Sequence, residues 1–227
     1  MKRYAFRLNP RKIAYDNSIR NKIDIIICII EIVRYLTIQG KSELISLEKI
    51  NLNENNDDKI FLVIYIDKMS RAFIAQKDKI HSFQFPFLIQ ENNEGFNILF
   101  NTIKLNSVIC SILSKIFERL QESESIEVLM EKYWETMEDV KDTEEYEQYN
   151  YICEKLITYL LTFEAGYIRY DHDEFNVKLN HPEDHLDINY SGSATFKIGS
   201  SKMNIQNLIG ILDLNSDCKY IEIMKNH

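Results

Sequence analysis

The sequence has 227 residues and is acidic, with 35 Asp and Glu against 27 Lys and Arg and a formal net charge of −8. Hydrophobic residues make up 45% of the chain, which is ordinary for a globular protein and sufficient for a core. This balance argues against a basic protein that coats nucleic acid, and the length fits one large domain or two small ones.

The sequence favours a reducing compartment. Four cysteines lie far apart, at Cys28, Cys110, Cys153 and Cys218. No pair has the C-x-x-C spacing of zinc ribbons or redox sites. The most apolar run, residues 23–36, contains charges and is too short to span a bilayer, and the basic first residues are not followed by the apolar region of a signal peptide. We therefore expect a cytoplasmic protein that does not associate with membranes.

The first part of the chain predicts one buried helix. Residues 1–15 are basic and have no clear period, so no element is predicted there. Residues 17–39 carry a narrow polar stripe on an otherwise apolar sequence, which predicts a helix with most of its girth buried, ended by Gly40. A short helix over residues 41–54 would follow.

Alternating patterns then predict a four-stranded antiparallel meander. Residues 59–66 are almost wholly apolar, as in a central strand covered on both faces. Residues 71–76, 80–89 and 96–103 read as the next three strands. Pro86 indicates that the third is an edge strand or contains a bulge.

Helical spacing of apolar residues predicts three consecutive helices over residues 105–120, 126–137 and 149–163. The second is strongly acidic, which is most simply a solvated face. Its Tyr133, Trp134 and Met137 would alternatively suit a protein interface. A last helix is predicted over residues 205–212 and a final strand over 219–223.

Residues 166–199 hold the densest polar pattern and predict three short antiparallel strands, at 166–171, 186–190 and 195–198. Alternation turns Ile168, Ile188 and Phe196 towards the core. The opposite, polar face would gather Arg169, Asp171, His185, Asp187 and Lys197. With His181 from the preceding loop, these residues form the candidate site.

Histidine beside carboxylate suits zinc, manganese or iron, so His181, His185 and Asp187 are the candidate metal ligands. Pro182 disfavours a helix that would place both histidines on one face. The alternative is that His181 is a loop residue and His185 packs beside a neighbouring strand. No cofactor is expected apart from this divalent metal.

Asp187 and Lys197 also suggest the acid and lysine of restriction-type nucleases, in which a second acid precedes the lysine by two residues. Thr195 occupies that position, so the second acid is missing. The alternative is a cross-strand ion pair of Asp187 with Arg169 or Lys197. No nucleophile elbow, P-loop or dinucleotide-binding glycine motif is present in the sequence.

The R-Y-D at Arg169–Asp171, the H-P-x-x-H-L-D at His181–Asp187 and the F-K-I-G at Phe196–Gly199 resemble an uncharacterised bacterial domain-of-unknown-function family. The resemblance implies a place in antiviral defence or toxin–antitoxin loci, often beside ATPase or nuclease genes. It implies no catalytic residues.

Together these patterns predict one α+β domain over residues 1–227, with a subdivision at residues 122/123 as an alternative. It would comprise a buried N-terminal helix, an antiparallel meander, a helical segment, and a small C-terminal antiparallel sheet with a closing helix.

The leading functional hypothesis is an accessory or interaction subunit of a defence or toxin–antitoxin system. It would bind a protein partner such as an ATPase or nuclease subunit, and direct nucleic-acid binding stays open. The alternative is a metal-dependent hydrolase or nuclease that acts through the His/Asp cluster.

Overall fold

The computed structural model describes residues 2–8, 19–50, 59–66, 69–120, 125–191 and 194–213. Over these ranges the chain forms five α-helices and ten strands in two antiparallel sheets, which confirms the predicted α+β class. The helices are α1 (Lys22–Gln39), α2 (Ser107–Leu120), α3 (Ile126–Glu138), α4 (Tyr146–Thr162) and α5 (Ile205–Leu212). The strands are β1 (Arg3–Leu8), β2 (Ile60–Tyr65), β3 (Arg71–Ala75), β4 (Lys79–Gln84), β5 (Leu88–Glu91), β6 (Phe96–Phe100), β7 (Ile103–Lys104), β8 (Ile168–His172), β9 (Asp184–Ser191) and β10 (Ala194–Gly199).

These elements belong to two compact units. The sheet unit contains β1–β4, β8–β10 and α5, and the helical unit contains α1–α4 and β5–β7. The chain passes between the units after Ser42, Phe85 and Glu164. Each unit therefore combines segments from both sides of residue 122.

The sheet unit is built on seven strands in the order β1-β2-β3-β4-β8-β9-β10. Phe61, Val63 and Phe73 lie on one face, where the apolar side of α5 completes a hydrophobic cluster with Leu208. Every residue of β2 is buried, so both of its faces are covered. This matches the unbroken apolar sequence that predicted a central strand.

The predicted four-stranded meander is wrong, because its strands belong to two sheets. Residues 80–89 are not one strand: β4 ends at Gln84 and β5 begins at Leu88. β4 pairs with β3 and β8 in the seven-stranded sheet, whereas β5, β6 and β7 form a separate three-stranded sheet. Pro86 lies in the gap. Pro86 has no backbone N–H to donate to a neighbouring strand, so strand hydrogen bonding is interrupted there. The alternation of apolar side chains in the sequence continues across this interruption, which is why the pattern predicted a single strand.

The helical unit begins with α1, whose burial agrees with the prediction. Asn21 caps its N-terminus reciprocally with Asp24, which satisfies two otherwise unpaired backbone N–H groups. Gly40 ends the helix with φ of 58°, a conformation that L side chains rarely adopt. An added Cβ there would also lie 3.2 Å from the backbone oxygen of Glu94. The helix packs on α2 and β6, and α2 packs on α3 and α4.

Three smaller expectations have different outcomes. The helix predicted over residues 41–54 is only a 3-10 turn at Leu47–Lys49 within the described part, and residues 51–54 fall outside it. β1 was not predicted, although it pairs with β2 along its whole length. The strand predicted over 219–223 lies outside the described residues. No described helix is long and apolar enough to cross a membrane.

The predicted antiparallel pairing of the three C-terminal strands is confirmed, but the strands extend the seven-stranded sheet from β4 and do not form a small sheet of their own. The predicted burial of Phe196 is also wrong. Ile168 pairs with Ile188, and Ile188 pairs with Phe196, so the three share one face. Ile168 and Ile188 pack against the hydrophobic cluster, whereas Phe196 is 70% exposed. Among the described strands β10 ends the sheet, and the core does not extend beneath it.

We expect Ile26→Asp to destabilise the protein by about 3 kcal/mol or more, because Ile26 is fully buried and an unpaired carboxylate there would lose its hydration. Ile38→Asp is the matched control, since Ile38 lies on the same helix with 61% of its surface exposed. Urea denaturation measures both variants. Equal stabilities would show that the buried face of α1 contributes nothing.

Candidate functional site

The polar face of β8–β10 brings together five of the six predicted site residues. In the β8–β9 register Arg169 lies opposite Asp187 and Asp171 opposite His185, and Lys197 of β10 lies opposite Asp187. Alternation places all five on the face opposite Tyr170 and Leu186, which belong to the hydrophobic cluster. The site thus occupies the reverse side of strands whose other side anchors the core.

Arg169 bridges two buried carboxylates on this face. Its Nε donates to Asp171 Oδ2 at 2.7 Å and its Nη2 to Asp187 Oδ2 at 2.5 Å. The Asp187 side chain is fully buried and that of Asp171 is 8% exposed. The guanidinium offsets the repulsion between the carboxylates and replaces part of their lost hydration. Lys197 Nζ lies 3.8 Å from Asp187 Oδ1, and its side chain is 61% exposed.

His185 has its ring orientation fixed from one side. Its Nδ1 lies 3.1 Å from the carbonyl oxygen of Pro182, and a carbonyl only accepts, so Nδ1 carries the hydrogen. In the neutral ring, the lone pair then lies on Nε2. This atom is 3.6 Å from Asp171 Oδ2. The residue is 5% exposed, so the arrangement is largely shielded from water.

His181 lies beside this cluster rather than within it. Its ring contacts that of His185 edge to face, with the centroids 4.7 Å apart. Its backbone forms an isolated bridge with Lys178 in the loop between β8 and β9. Among the described residues, a group of metal-ligating side chains is formed by Asp171, His185 and Asp187, whose ligand atoms lie within 4.8 Å of one another. The structure therefore brings Asp171, and not the predicted His181, into the group with the other two.

A second polar cluster lies where β8 and β9 begin their loop, in residues that sequence analysis assigned to the loop itself. His172 lies opposite Asp184 in the register, and its Nδ1 is 2.9 Å from Asp184 Oδ1. Its Nε2 is 3.0 Å from Glu174 Oε1. Burial alone would lower the pKa of His172, but the hydrogen bonds to Glu174 and Asp184 outweigh it and raise the pKa. Asp184 also accepts from the Tyr170 hydroxyl, which connects this cluster to the core face.

Sequence analysis also missed His81, which extends the polar face onto β4. His81 lies opposite Arg169, and its Nδ1 is 2.9 Å from the Tyr167 hydroxyl. It is fully buried. Burial, with the nearby charges of Arg169 and Lys79, lowers the pKa of His81 to about 3. The available signal was a histidine in a strand that otherwise alternates phenylalanines.

The three cysteines in the described part of the chain are not candidates for catalysis. Cys28, Cys110 and Cys153 are buried, and burial raises the pKa of each thiol, to about 12 for Cys110 and Cys153. Since the thiolate is the nucleophilic form, these three side chains are inert at neutral pH. Cys218 lies outside the described residues.

Comparisons with known proteins give no relative for this site: no protein family model, no curated protein and no solved structure matches the chain. The resemblance to a domain-of-unknown-function family therefore stays a prediction.

We expect Asp187→Asn to lower the free energy of unfolding by about 3 kcal/mol in metal-free buffer, because it breaks an ion pair with Arg169 in which the carboxylate is fully buried. Lys197→Gln should cost less than about 1 kcal/mol, because the Lys197 side chain is mostly exposed. Urea denaturation compares the two variants. Similar small effects would mean that Arg169 is satisfied equally well without Asp187.

We expect His81 to make the protein sensitive to acid. Its folded pKa of about 3 lies below the ordinary 6.5, so the unfolded chain takes up a proton that the folded chain does not. The contribution of neutral His81 to the free energy of unfolding is therefore fully present above pH 6.5 and is lost as the pH falls towards the folded pKa. From about pH 7 to about pH 5 the wild type should lose about 2 kcal/mol more than His81→Gln. Parallel pH profiles of unfolding free energy for the two proteins would contradict this.

Proposed function

We propose that the chain acts by binding a protein partner in a groove between α3 and α4 of the helical unit. The groove has a volume of about 460 Å³. Its lining residues are Leu129, Met130, Tyr133, Trp134, Glu154, Lys155, Ile157, Thr158, Leu161 and Thr162. An apolar groove on adjacent helices is the surface that accepts an amphipathic helix in several recognition modules.

Two exposed side chains carry the argument. Trp134 is 56% exposed and Met130 is 45% exposed, and both line the groove. Tryptophan and methionine are enriched in protein interfaces. Tyr133 and Met137, which were candidates for the same surface, are buried and hold α3 in place. The Tyr133 hydroxyl donates to Asn150 Oδ1 of α4, so the walls of the groove are fixed to each other.

The two helices that form the groove are acidic as a whole, which favours a basic partner, although the charged residues that line the groove itself are one acid and one base, Glu154 and Lys155. The acidic residues of α3 and α4 are Glu127, Glu131, Glu135, Glu138, Glu147 and Glu154, against the two bases Lys132 and Lys155. The six glutamates are all exposed. Complementary charge speeds association and disfavours acidic partners. The partner that fits best is an amphipathic helix with apolar residues flanked by Lys or Arg.

The resemblance stated above adds a proposal about biological setting. The partner would be a subunit such as an ATPase or nuclease encoded in an antiviral defence or toxin–antitoxin locus. The identity of the partner and of its locus rests on the resemblance, whereas the binding surface rests on the groove. A phage-challenge assay of the whole locus with a groove variant tests it separately from binding.

Trp134 is the only tryptophan of the chain, so its fluorescence reports on the groove directly. We expect an amphipathic helical peptide with one Leu face and one Lys face to shift the Trp134 emission to shorter wavelengths. The bound peptide should also protect Trp134 from acrylamide quenching. A Leu/Glu peptide of the same pattern should do neither. Met130→Lys should weaken binding at least about tenfold, as loss of an anchor at the centre of an interface does.

Ile38→Lys is the control for that substitution, because Ile38 is an exposed apolar side chain of the same unit that does not line the groove. It should bind the Leu/Lys peptide as the wild type does. Equal binding of the Leu/Glu peptide, or an unchanged affinity of Met130→Lys, would rule out the groove. Association of the chain with itself, detected by light scattering and abolished by Met130→Lys, would make a second copy the occupant.

A metal-dependent hydrolase or nuclease is the second candidate, and the observation in its favour is the grouping of Asp171, His185 and Asp187. All three are buried, with Asp187 fully so. A scissile phosphate would have to reach a shielded centre, which ranks this candidate below partner binding. Manganese-dependent cleavage of single-stranded DNA that is abolished by His185→Gln would reverse the order.

A further inference from the structure

We propose that Asp171, His185 and Asp187 bind one divalent transition-metal ion on the polar face of β8 and β9. One ligand atom from each residue lies within 4.8 Å of the other two, which leaves room for a single ion between them. This site is separate from the partner-binding groove. The two proposals stand or fall independently.

The carboxylates are held so that one oxygen of each stays available. Arg169 donates hydrogen bonds to Oδ2 of both Asp171 and Asp187. Oδ1 of each is buried and accepts no hydrogen bond from the described part of the chain. A buried carboxylate oxygen without a partner is costly, because it has lost its water and gained nothing in exchange. A cation coordinated by both Oδ1 atoms would remove that cost.

His185 has the arrangement of a ligand whose second shell is already in place. Metal-binding histidines commonly donate their remaining ring N–H to a carbonyl or carboxylate, which fixes the tautomer. Here Nδ1 donates to the Pro182 carbonyl and Nε2 faces the carboxylates. Nε2 lies 3.6 Å from Asp171 Oδ2, a separation at which two ligand atoms can contact one ion.

The charge at the site also favours a cation. The carboxylates of Asp171 and Asp187 contribute two negative charges, and the Arg169 guanidinium offsets one of them. Lys197 Nζ is 3.8 Å from Asp187 Oδ1, beyond hydrogen-bond range, on a side chain that is 61% exposed. Solvent therefore screens most of the lysine's contribution. A net negative charge remains in a buried location.

The ligand types set the class of metal. One imidazole with two carboxylates suits zinc or manganese, whereas magnesium and calcium prefer sites made entirely of oxygen. Because the ligands are 0–6% exposed, the ion would hold β8 to β9 rather than act on a large substrate. The expected effect of the metal is therefore higher stability of the sheet unit.

Isothermal titration calorimetry of the full chain, stripped with EDTA and dialysed, tests the proposal with Zn²⁺ and Mn²⁺, and with Mg²⁺ for comparison. We expect one Zn²⁺ or Mn²⁺ per chain, no saturable Mg²⁺ binding, and a melting temperature that rises with the added transition metal. Absence of Zn²⁺ and Mn²⁺ binding by the wild type would overturn the proposal, whatever any variant does.

Variants then locate the ion. Asp171→Asn and His185→Gln should each weaken binding by more than about tenfold. Glu174→Gln is the matched control in the neighbouring His172 cluster and should change affinity by less than about twofold. Loss of binding in Glu174→Gln alone would place the ion in the other cluster and contradict the assignment. Loss in His181→Gln would overturn the proposed ligand set, which leaves His181 out.

Lys197→Gln gives a readout that a purely structural ion-pair network would not produce. It removes a competing positive charge 3.8 Å from Asp187 Oδ1 while leaving every proposed ligand in place. We expect tighter Zn²⁺ binding, by about threefold or more, and a smaller gain at high salt because salt already screens the lysine. Unchanged or weaker binding would show that Asp187 Oδ1 does not coordinate the ion.

Discussion

The bridge from Arg169 to Asp171 and Asp187 is the interaction on which the C-terminal part of the sheet unit depends. Pairing β8 with β9 puts two carboxylates on one buried face, where their repulsion and lost hydration would cost several kcal/mol. The Arg169 guanidinium offsets most of this cost by donating to both carboxylates. A slip of one residue would turn Asp187 towards the hydrophobic cluster and Leu186 away from it, so charge and apolar burial specify the same register.

The two faces of the seven-stranded sheet are used differently along its width. Near β2 and β3 both faces are buried and apolar, whereas at β8 and β9 one face is apolar and the other carries the polar cluster. His81 on β4 lies opposite Arg169, where the sheet changes from having two apolar faces to having one polar face. Buried polar groups in such a position have few water molecules to satisfy them, so each must find a partner within the chain or a bound ion.

Period-two alternation was sufficient to predict β8, β9 and β10 and their pairing, and helical spacing predicted α1–α5. Alternation failed between β4 and β5: β4 ends at Gln84 and Pro86 lies in the gap, yet the alternation of phenylalanines continues through Phe87. It was also overlooked in β1, where Tyr4, Phe6 and Leu8 do alternate. Proximity in the sequence favoured His181 as a candidate ligand, whereas the cross-strand register places Asp171 beside His185 and Asp187. Sequence spacing does not report which residues face each other across strands.

Burial decides what kind of role the polar face can have. A side chain with no exposed surface, such as Asp187, cannot meet a macromolecular substrate without a rearrangement of the strands that hold it. Exposed Trp134 and Met130 can meet a partner with the fold unchanged. Changes at the polar face should therefore register first in stability, and changes at the groove in association. A loss of association on changing the polar face would then be an indirect effect of unfolding, which a melting curve recorded beside each binding measurement identifies.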